Sequence, residues 1–122
     1  MCRKLTRNGQ IIVPGDKLNL KPGDSNLLTW GLDLGYGLIA NAKIESIEQK
    51  KWEKWKMNKI GQLYVDGFFE FDVKGKKSVK FNFEKLTPIS ILHNDSNFLV
   101  ITKPSIGIVK KTHSRQPCFN LN

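Results

Sequence analysis

Residues 66–83, DGFFEFDVKGKKSVKFNF, decide the predicted fold. Apolar and polar residues alternate on both sides of a lysine-rich turn at Lys74–Lys77, which is the period of two half-buried strands. Gly75 is expected to supply the positive φ of this turn, and Glu70 to lie on the less apolar face of its strand. The residues predicted to face the core are Phe69, Phe71 and Val73 in one strand and Val79, Phe81 and Phe83 in the other. The stretch therefore predicts a β-hairpin.

Shorter apolar runs on either side of this hairpin predict further strands, because turn residues bound them. These strands are expected at Gln10–Val13, Leu27–Trp30, Leu38–Ala42, Ile89–Leu92 and Asn97–Thr102. Residues 45–57 differ, since Ile44, Ile47, Trp52 and Trp55 recur at roughly helical spacing. They predict one amphipathic helix whose tryptophans dock it on the sheet. No repeat or linker divides the chain, so residues 1–122 are expected to form a single compact, β-rich α+β domain.

The composition favours a polyanionic partner. The 122 residues include 20 Lys and Arg against 11 Asp and Glu, which gives a net charge of +9, and nucleic acid is the commonest polyanion in cells. Two basic stretches, Lys50–Lys59 and Ser96–Asn122, are candidate phosphate-facing surfaces. Seven Phe, three Trp and two Tyr are enough for a core, and no apolar run approaches the roughly 20 residues that span a bilayer. We expect a cytoplasmic protein without a membrane segment.

The second residue of the chain, Cys2, carries reactive chemistry if Met1 is removed. A chain that begins with cysteine presents a 1,2-aminothiol, whose amine and thiol both deprotonate close to neutral pH. Such a group can act as an N-terminal nucleophile in amide chemistry. It can also condense with an aldehyde through a Schiff base that the thiol closes into a thiazolidine ring.

Three other segments contain residues that could assist such a nucleophile. They are Asn41–Ser46, Asp66–Phe71 and His113–Pro117. Amine or aldehyde chemistry requires a carboxylic acid that shuttles protons and an imidazole that acts as a second acid or base. Each residue also has a structural interpretation. Asn41 can cap the following helix, Glu70 can be a solvated residue opposite Lys80, and His113 can be an ordinary loop histidine.

The ordered set of motifs resembles the SOS response-associated peptidase (SRAP) family. Segments spread over nearly the whole chain are similar to the family segments M-C-G-R, W-G-L, N-A-R-x-E-T, D-G-F-Y-E-W and H-x-R-M-P. In this sequence they are Met1-Cys2, Trp30-Gly31-Leu32, Asn41–Ser46, Asp66–Phe71 and His113–Pro117. The resemblance implies a mixed or antiparallel sheet curled toward a barrel, in a monomeric, nucleoid-associated protein of a bacterium or phage. It also implies binding to single-stranded DNA and a covalent thiazolidine with the aldehyde of an abasic site, without a cofactor.

The resemblance also implies a role for individual residues. Cys2 is the crosslinking nucleophile once Met1 has been removed, and Asn41 holds its terminus by hydrogen bonds. Glu70 moves protons between the amine, the sugar and the Schiff base, while His113 assists opening of the sugar ring. These four catalytic residues are expected to converge in one pocket. The residues expected to contact DNA are Lys43, Arg115, Thr102, Arg3, Lys4, Lys110 and Lys111.

This chain departs from the family pattern at several positions. Arg3 and Lys4 replace the usual glycine and arginine, Lys43 replaces an arginine, and Gln116 replaces a methionine. The connection from Trp30 to Asn41 is also short. Lysine keeps the charge at position 43 but lacks the planar fork that holds phosphate in a bidentate way.

Two other functions are compatible with the same residues. The first is a thiol peptidase or amidase of the N-terminal nucleophile kind, which has no need for so much positive charge. The second is a non-catalytic binder of single-stranded nucleic acid, in which Trp52, Trp55 or Phe68 stacks on bases. A zinc site built from Cys2, Cys118, His93 and His113 lacks recognisable ligand spacing. We therefore expect no metal, and a structural or incidental role for Cys118 and His93.

Overall fold

The structure is a computed structural model that describes residues 3–72, 74–106, 109 and 115–118. Apart from Val109, which is helical, these residues form eleven strands, one short α-helix and one 3₁₀ turn with their connections. The elements are β1 (Leu5–Arg7), β2 (Gln10–Ile12), β3 (Lys17–Leu18), β4 (Leu28–Trp30), β5 (Leu32–Asp33), β6 (Leu38–Ile39), β7 (Asn41–Lys43), α1 (Ile44–Glu48), the 3₁₀ turn Glu53–Trp55, β8 (Lys59–Asp72), β9 (Lys77–His93), β10 (Asn97–Pro104) and β11 (Arg115–Pro117). The β-rich architecture expected from the sequence is confirmed.

Nine of these strands form one sheet that curls into a half-barrel. The long antiparallel hairpin of β8 and β9 is its spine, and the strand order is β2-β1-β8-β9-β10-β4-β3. Strand β10 also pairs in parallel with β7 and in antiparallel fashion with β11. Strands β5 and β6 form a separate small hairpin. The segments that carry Asn41, Thr102 and Arg115 therefore meet along β10.

A β-bulge between Val65 and Gly67 decides which residues of β8 face inward. Leu63 and Val65 are buried before the bulge, and Phe68 and Glu70 are buried after it. The predicted inward row of Phe69 and Phe71 is therefore wrong, and Phe71 is 52% exposed. The cause is one extra residue, which exchanges the two faces of a strand. Val73, the third residue of the predicted row, lies outside the described residues.

Contacts with β1 and β9 surround the bulge. The Asp66 carboxylate accepts hydrogen bonds from the Thr6 hydroxyl at 2.7 Å and from the Asn8 amide at 2.7 Å. A Cβ atom on Gly67 would lie 2.8 Å from the Thr6 hydroxyl oxygen and 2.9 Å from the Phe81 carbonyl oxygen. Glycine is therefore required at position 67 because β1 and β9 approach it closely.

The hairpin turn differs from the prediction in one residue. It lies where expected, but Lys76 adopts the left-handed conformation with a φ of 52°, and Gly75 does not. Strand β9 also runs without interruption from Lys77 to His93. The separate strand predicted at Ile89–Leu92 is therefore the end of β9.

The predicted helix at residues 45–57 is shorter than expected. Helix α1 spans Ile44–Glu48, and Lys50 then adopts a φ of 58°, which ends the helix. The Trp52 indole N–H donates to the Ser46 hydroxyl at 2.7 Å and holds the following turn back against α1. Trp52 and Trp55 pack on the sheet, as the sequence predicted.

Two apolar clusters cover the two faces of the sheet. The inner core fills the half-barrel and includes Leu5, Trp30, Leu63, Val65, Phe68, Ile89, Ile91, Phe98 and Val100. The outer core lies under α1 and the 3₁₀ turn and consists of Ala42, Met57, Leu92, Leu99, Ile101 and Cys118. Alternate residues of β10 enter the two clusters, as the pleat of a strand requires. No helix among the described residues is long and apolar enough to cross a membrane.

Candidate active site

Asn41 and Thr102 lie on the inner face of the sheet. Asn41 is in register with Val100, and Lys43 is in register with Thr102. Residues in register on neighbouring strands share a face, and Val100 belongs to the inner core. Asn41 is 7% exposed and Thr102 is fully buried. The interpretation of Asn41 as a helix cap is wrong, because the N-cap of α1 is Lys43.

Glu70 lies on the inner face of β8, next to Phe68 along the strand. Its side chain is only 1% exposed, and burial raises the pKa of Glu70 to about 7. The interpretation as a solvated residue opposite Lys80 is wrong, since Glu70 is in register with Val79. A carboxyl group that titrates near neutral pH can both donate and accept a proton under physiological conditions.

The pairing of β1 with β8 places Lys4 beside Phe69, one residue before Glu70. Leu5 is in register with Phe68, and the Phe69 amide donates to the Lys4 carbonyl at 2.9 Å. The antiparallel pairing therefore brings Arg3, which is exposed, to the level of Glu70. The Lys4 ammonium lies 5.0 Å from the centre of the Phe69 ring. The predicted DNA contacts Arg3 and Lys4 are thus next to the strand that carries the buried carboxyl group.

Arg115 joins β11 to the start of α1. Its Nη1 and Nη2 atoms donate to the two Glu45 carboxylate oxygens at 3.1 and 3.2 Å, and Nη2 also donates to the Thr102 carbonyl at 2.8 Å. The hydrogen bond from Arg115 lowers the pKa of Glu45, and the charge of Lys43 contributes to the same shift. The structure therefore brings Arg115 into contact with both Glu45 and Thr102, and the charge of Lys43 acts on the same Glu45 carboxylate.

The structure tests only part of the predicted site. Cys2, His113, Lys110 and Lys111 lie outside the described residues. Asn41 and Glu70 both face the inner core, from β7 and from β8. Glu45 lies within the Asn41–Ser46 motif, but nothing in the sequence indicates that it lies beside Arg115, 70 positions away.

The alternative functions would use Phe68, Cys118 or His93. The first two are buried in the core and the third lies at the surface. Phe68 is 2% exposed and stacks on Phe81 at 5.2 Å, so it is not accessible to a base. Cys118 is buried in the outer core. His93 lies in a surface groove of about 420 Å³ beside Lys59 and Asp95, at the turn between β9 and β10. Among the described residues, no group of three His, Cys, Asp or Glu side chains is arranged to hold a metal ion.

Comparison with known proteins adds no assignment. No protein-family model matches this chain, and no curated protein matches it.

Proposed function

We propose that this protein binds single-stranded DNA and forms a covalent crosslink with abasic sites through Cys2, as the resemblance to the SRAP family implies. The observation that chiefly supports the proposal is Glu70. Its carboxyl group is buried, has a pKa of about 7 and lies beside the strand that continues from the N-terminal residues. A buried acid that titrates near neutrality costs folding stability and is typical of sites that transfer protons.

The proposed reaction begins after Met1 has been removed. The α-amine of Cys2 attacks the C1′ aldehyde of the ring-opened sugar, and water leaves as the Schiff base forms. The sulfur then adds to the same carbon while the thiol proton passes to the nitrogen. The product is a thiazolidine, with no net oxidation or reduction. Glu70 donates the proton that the leaving water needs and accepts a proton from the attacking amine, which a group with this pKa does efficiently near pH 7.

Lys43 and Arg115 support the DNA-binding part of the proposal. Lys43 is exposed and lies next to the Glu45 carboxylate that the Arg115 guanidinium holds. Two cations around one anion form an arrangement that also suits a phosphodiester. The net charge of +9 adds a long-range attraction to DNA that weakens as salt rises.

The proposal is tested with a single-stranded oligonucleotide that carries one abasic site. After incubation with the purified full chain and heating in SDS, we expect a band of protein joined to DNA on a denaturing gel. Cys2→Ala should abolish this band. Cys118→Ala, which removes the other cysteine of the chain, should leave it unchanged. An undamaged oligonucleotide should give no band.

Mass spectrometry of the adduct separates the proposal from its alternatives. The expected mass is that of the chain without Met1 plus the oligonucleotide minus one water. Crosslinking by Cys2→Ala, or an adduct that retains Met1, would contradict the thiazolidine chemistry. DNA binding without any covalent band would favour the non-catalytic binder, and cleavage of peptides without a preference for abasic DNA would favour the peptidase.

A further inference from the structure

The Glu45 carboxylate occupies both terminal nitrogens of the Arg115 guanidinium. Its two oxygens accept from Nη1 and Nη2 at 3.1 and 3.2 Å, in the bidentate arrangement that arginine also offers to phosphate. The Thr102 carbonyl accepts from Nη2 at 2.8 Å on the other side. Thr102 is fully buried within β10, so this contact holds the guanidinium against the sheet.

The two partners of this ion pair differ in exposure. The Arg115 side chain is 15% exposed, whereas that of Glu45 is 52% exposed. Arg115 is therefore the fixed partner, and Glu45 is the one that can turn away into solvent. Lys43 also acts on this carboxylate electrostatically. An anion at this position is stabilised by both residues that were expected to hold phosphate.

We propose that Glu45 is an internal competitor for DNA, a carboxylate that occupies the phosphate position on Arg115 until a phosphodiester displaces it. The inference rests on the proposed function, because it takes Arg115 and Lys43 as contacts to the DNA backbone. In the free protein Glu45 keeps the guanidinium oriented and neutralises its charge. A DNA phosphate binds there only by replacing Glu45, so each binding event includes the free energy of breaking this ion pair.

The consequence is that removal of the carboxylate strengthens DNA binding beyond the effect of net charge. Glu48 provides a matched control, since it lies in the same helix, is also exposed and differs from glutamine by the same charge. Both Glu45→Gln and Glu48→Gln raise the net charge by one. Only Glu45→Gln also breaks the bidentate ion pair with Arg115.

The test measures equilibrium binding of an undamaged oligo-dT strand by fluorescence anisotropy at several salt concentrations. We expect Glu45→Gln to bind about two- to fivefold more tightly than Glu48→Gln, a gain limited by the strength of a half-exposed ion pair. In an Arg115→Lys background, which keeps the charge but lacks the fork, most of this extra gain should disappear. Thermal unfolding confirms that each variant is folded.

Several outcomes would overturn the inference. Equal affinities of Glu45→Gln and Glu48→Gln would show that the carboxylate does not compete. Weaker binding by Glu45→Gln than by the unaltered protein would show that Glu45 only orients Arg115. If the gain in affinity from Glu45→Gln were undiminished in the Arg115→Lys background, the gain would not come from Arg115. If no variant bound DNA, the proposed competition between Glu45 and phosphate would also be overturned. Failure to crosslink abasic DNA while the Glu45 effect is present would refute the covalent function alone.

Discussion

Glu70 and Glu45 are the same type of residue in two regions of the molecule, and their environments change them in opposite directions. Glu70 lies on the inner face of β8, where burial raises its pKa to about 7. Glu45 lies at the exposed start of α1, where the hydrogen bond from Arg115 lowers its pKa. The first carboxyl group is suited to exchange a proton near neutral pH, and the second is suited to remain an anion. The difference shows that the surroundings, and not the residue type, assign a chemical role.

The largest expected effect is on the rate of crosslinking. Glu70→Gln keeps the shape of the side chain but removes the exchangeable proton. We expect the rate of adduct formation with abasic DNA to fall by at least about 100-fold, the usual contribution of a general acid or base. Glu45→Gln should leave the rate at saturating DNA close to that of the unaltered protein. Gel time courses measure both variants, and equal rates for them would remove the distinction between the two carboxyl groups.

The second largest expected effect is on how the free energy of unfolding depends on pH. In the folded protein the proton of Glu70 is held until about pH 7, whereas in the unfolded chain it is lost near pH 4.5. The free energy of unfolding is therefore highest below about pH 4.5 and falls as the pH rises through about 7, by about 3 kcal/mol in total.

Urea titrations at a series of pH values measure this change. Glu70→Gln should remove the decrease between pH 4.5 and 7, because glutamine does not titrate. Glu45 acts with the opposite sign, since its stabilising ion pair is lost as the pH falls through its lowered pKa. A decrease of the same size in Glu70→Gln would mean that another group causes it.

A smaller effect is expected at the bulge that turns Glu70 inward. Gly67→Ala places a methyl group 2.8 Å from the Thr6 hydroxyl oxygen and 2.9 Å from the Phe81 carbonyl oxygen. We expect the free energy of unfolding to fall by about 1–2 kcal/mol through overpacking. Gly75→Ala is the matched control, because its closest contact is the Asp72 carboxylate, a movable side chain at the surface. Equal losses for the two variants in urea unfolding would show that the bulge tolerates a side chain.

The strands could be predicted from the sequence because alternation is a local signal. Residues 10–13, 27–30 and 97–102 contain β2, β4 and most of β10, and the position of the β8–β9 turn follows from its lysines and glycine. The inward face of β8 could not be predicted. It depends on the bulge near Asp66, whose partners Thr6 and Asn8 lie about 60 positions away.

The length of the helix could not be predicted from the sequence either. Its spacing predicted one element over residues 45–57, but α1 ends at Glu48. The intervening turn is held by the Trp52–Ser46 hydrogen bond and by packing on the outer core. Local periodicity identifies the apolar residues, whereas tertiary packing decides whether the backbone between them remains helical.

By itself, the sequence determined the β-rich class, the position of the hairpin, the excess of positive charge and the motifs that contain Asn41, Glu70 and Arg115. Only the tertiary structure decided that Glu70 is buried with a raised pKa and that Glu45 meets Arg115. The physical reason is that charge and alternation are properties of neighbouring residues. The desolvation of a carboxyl group and the pairing of residues 70 positions apart depend on how distant strands pack.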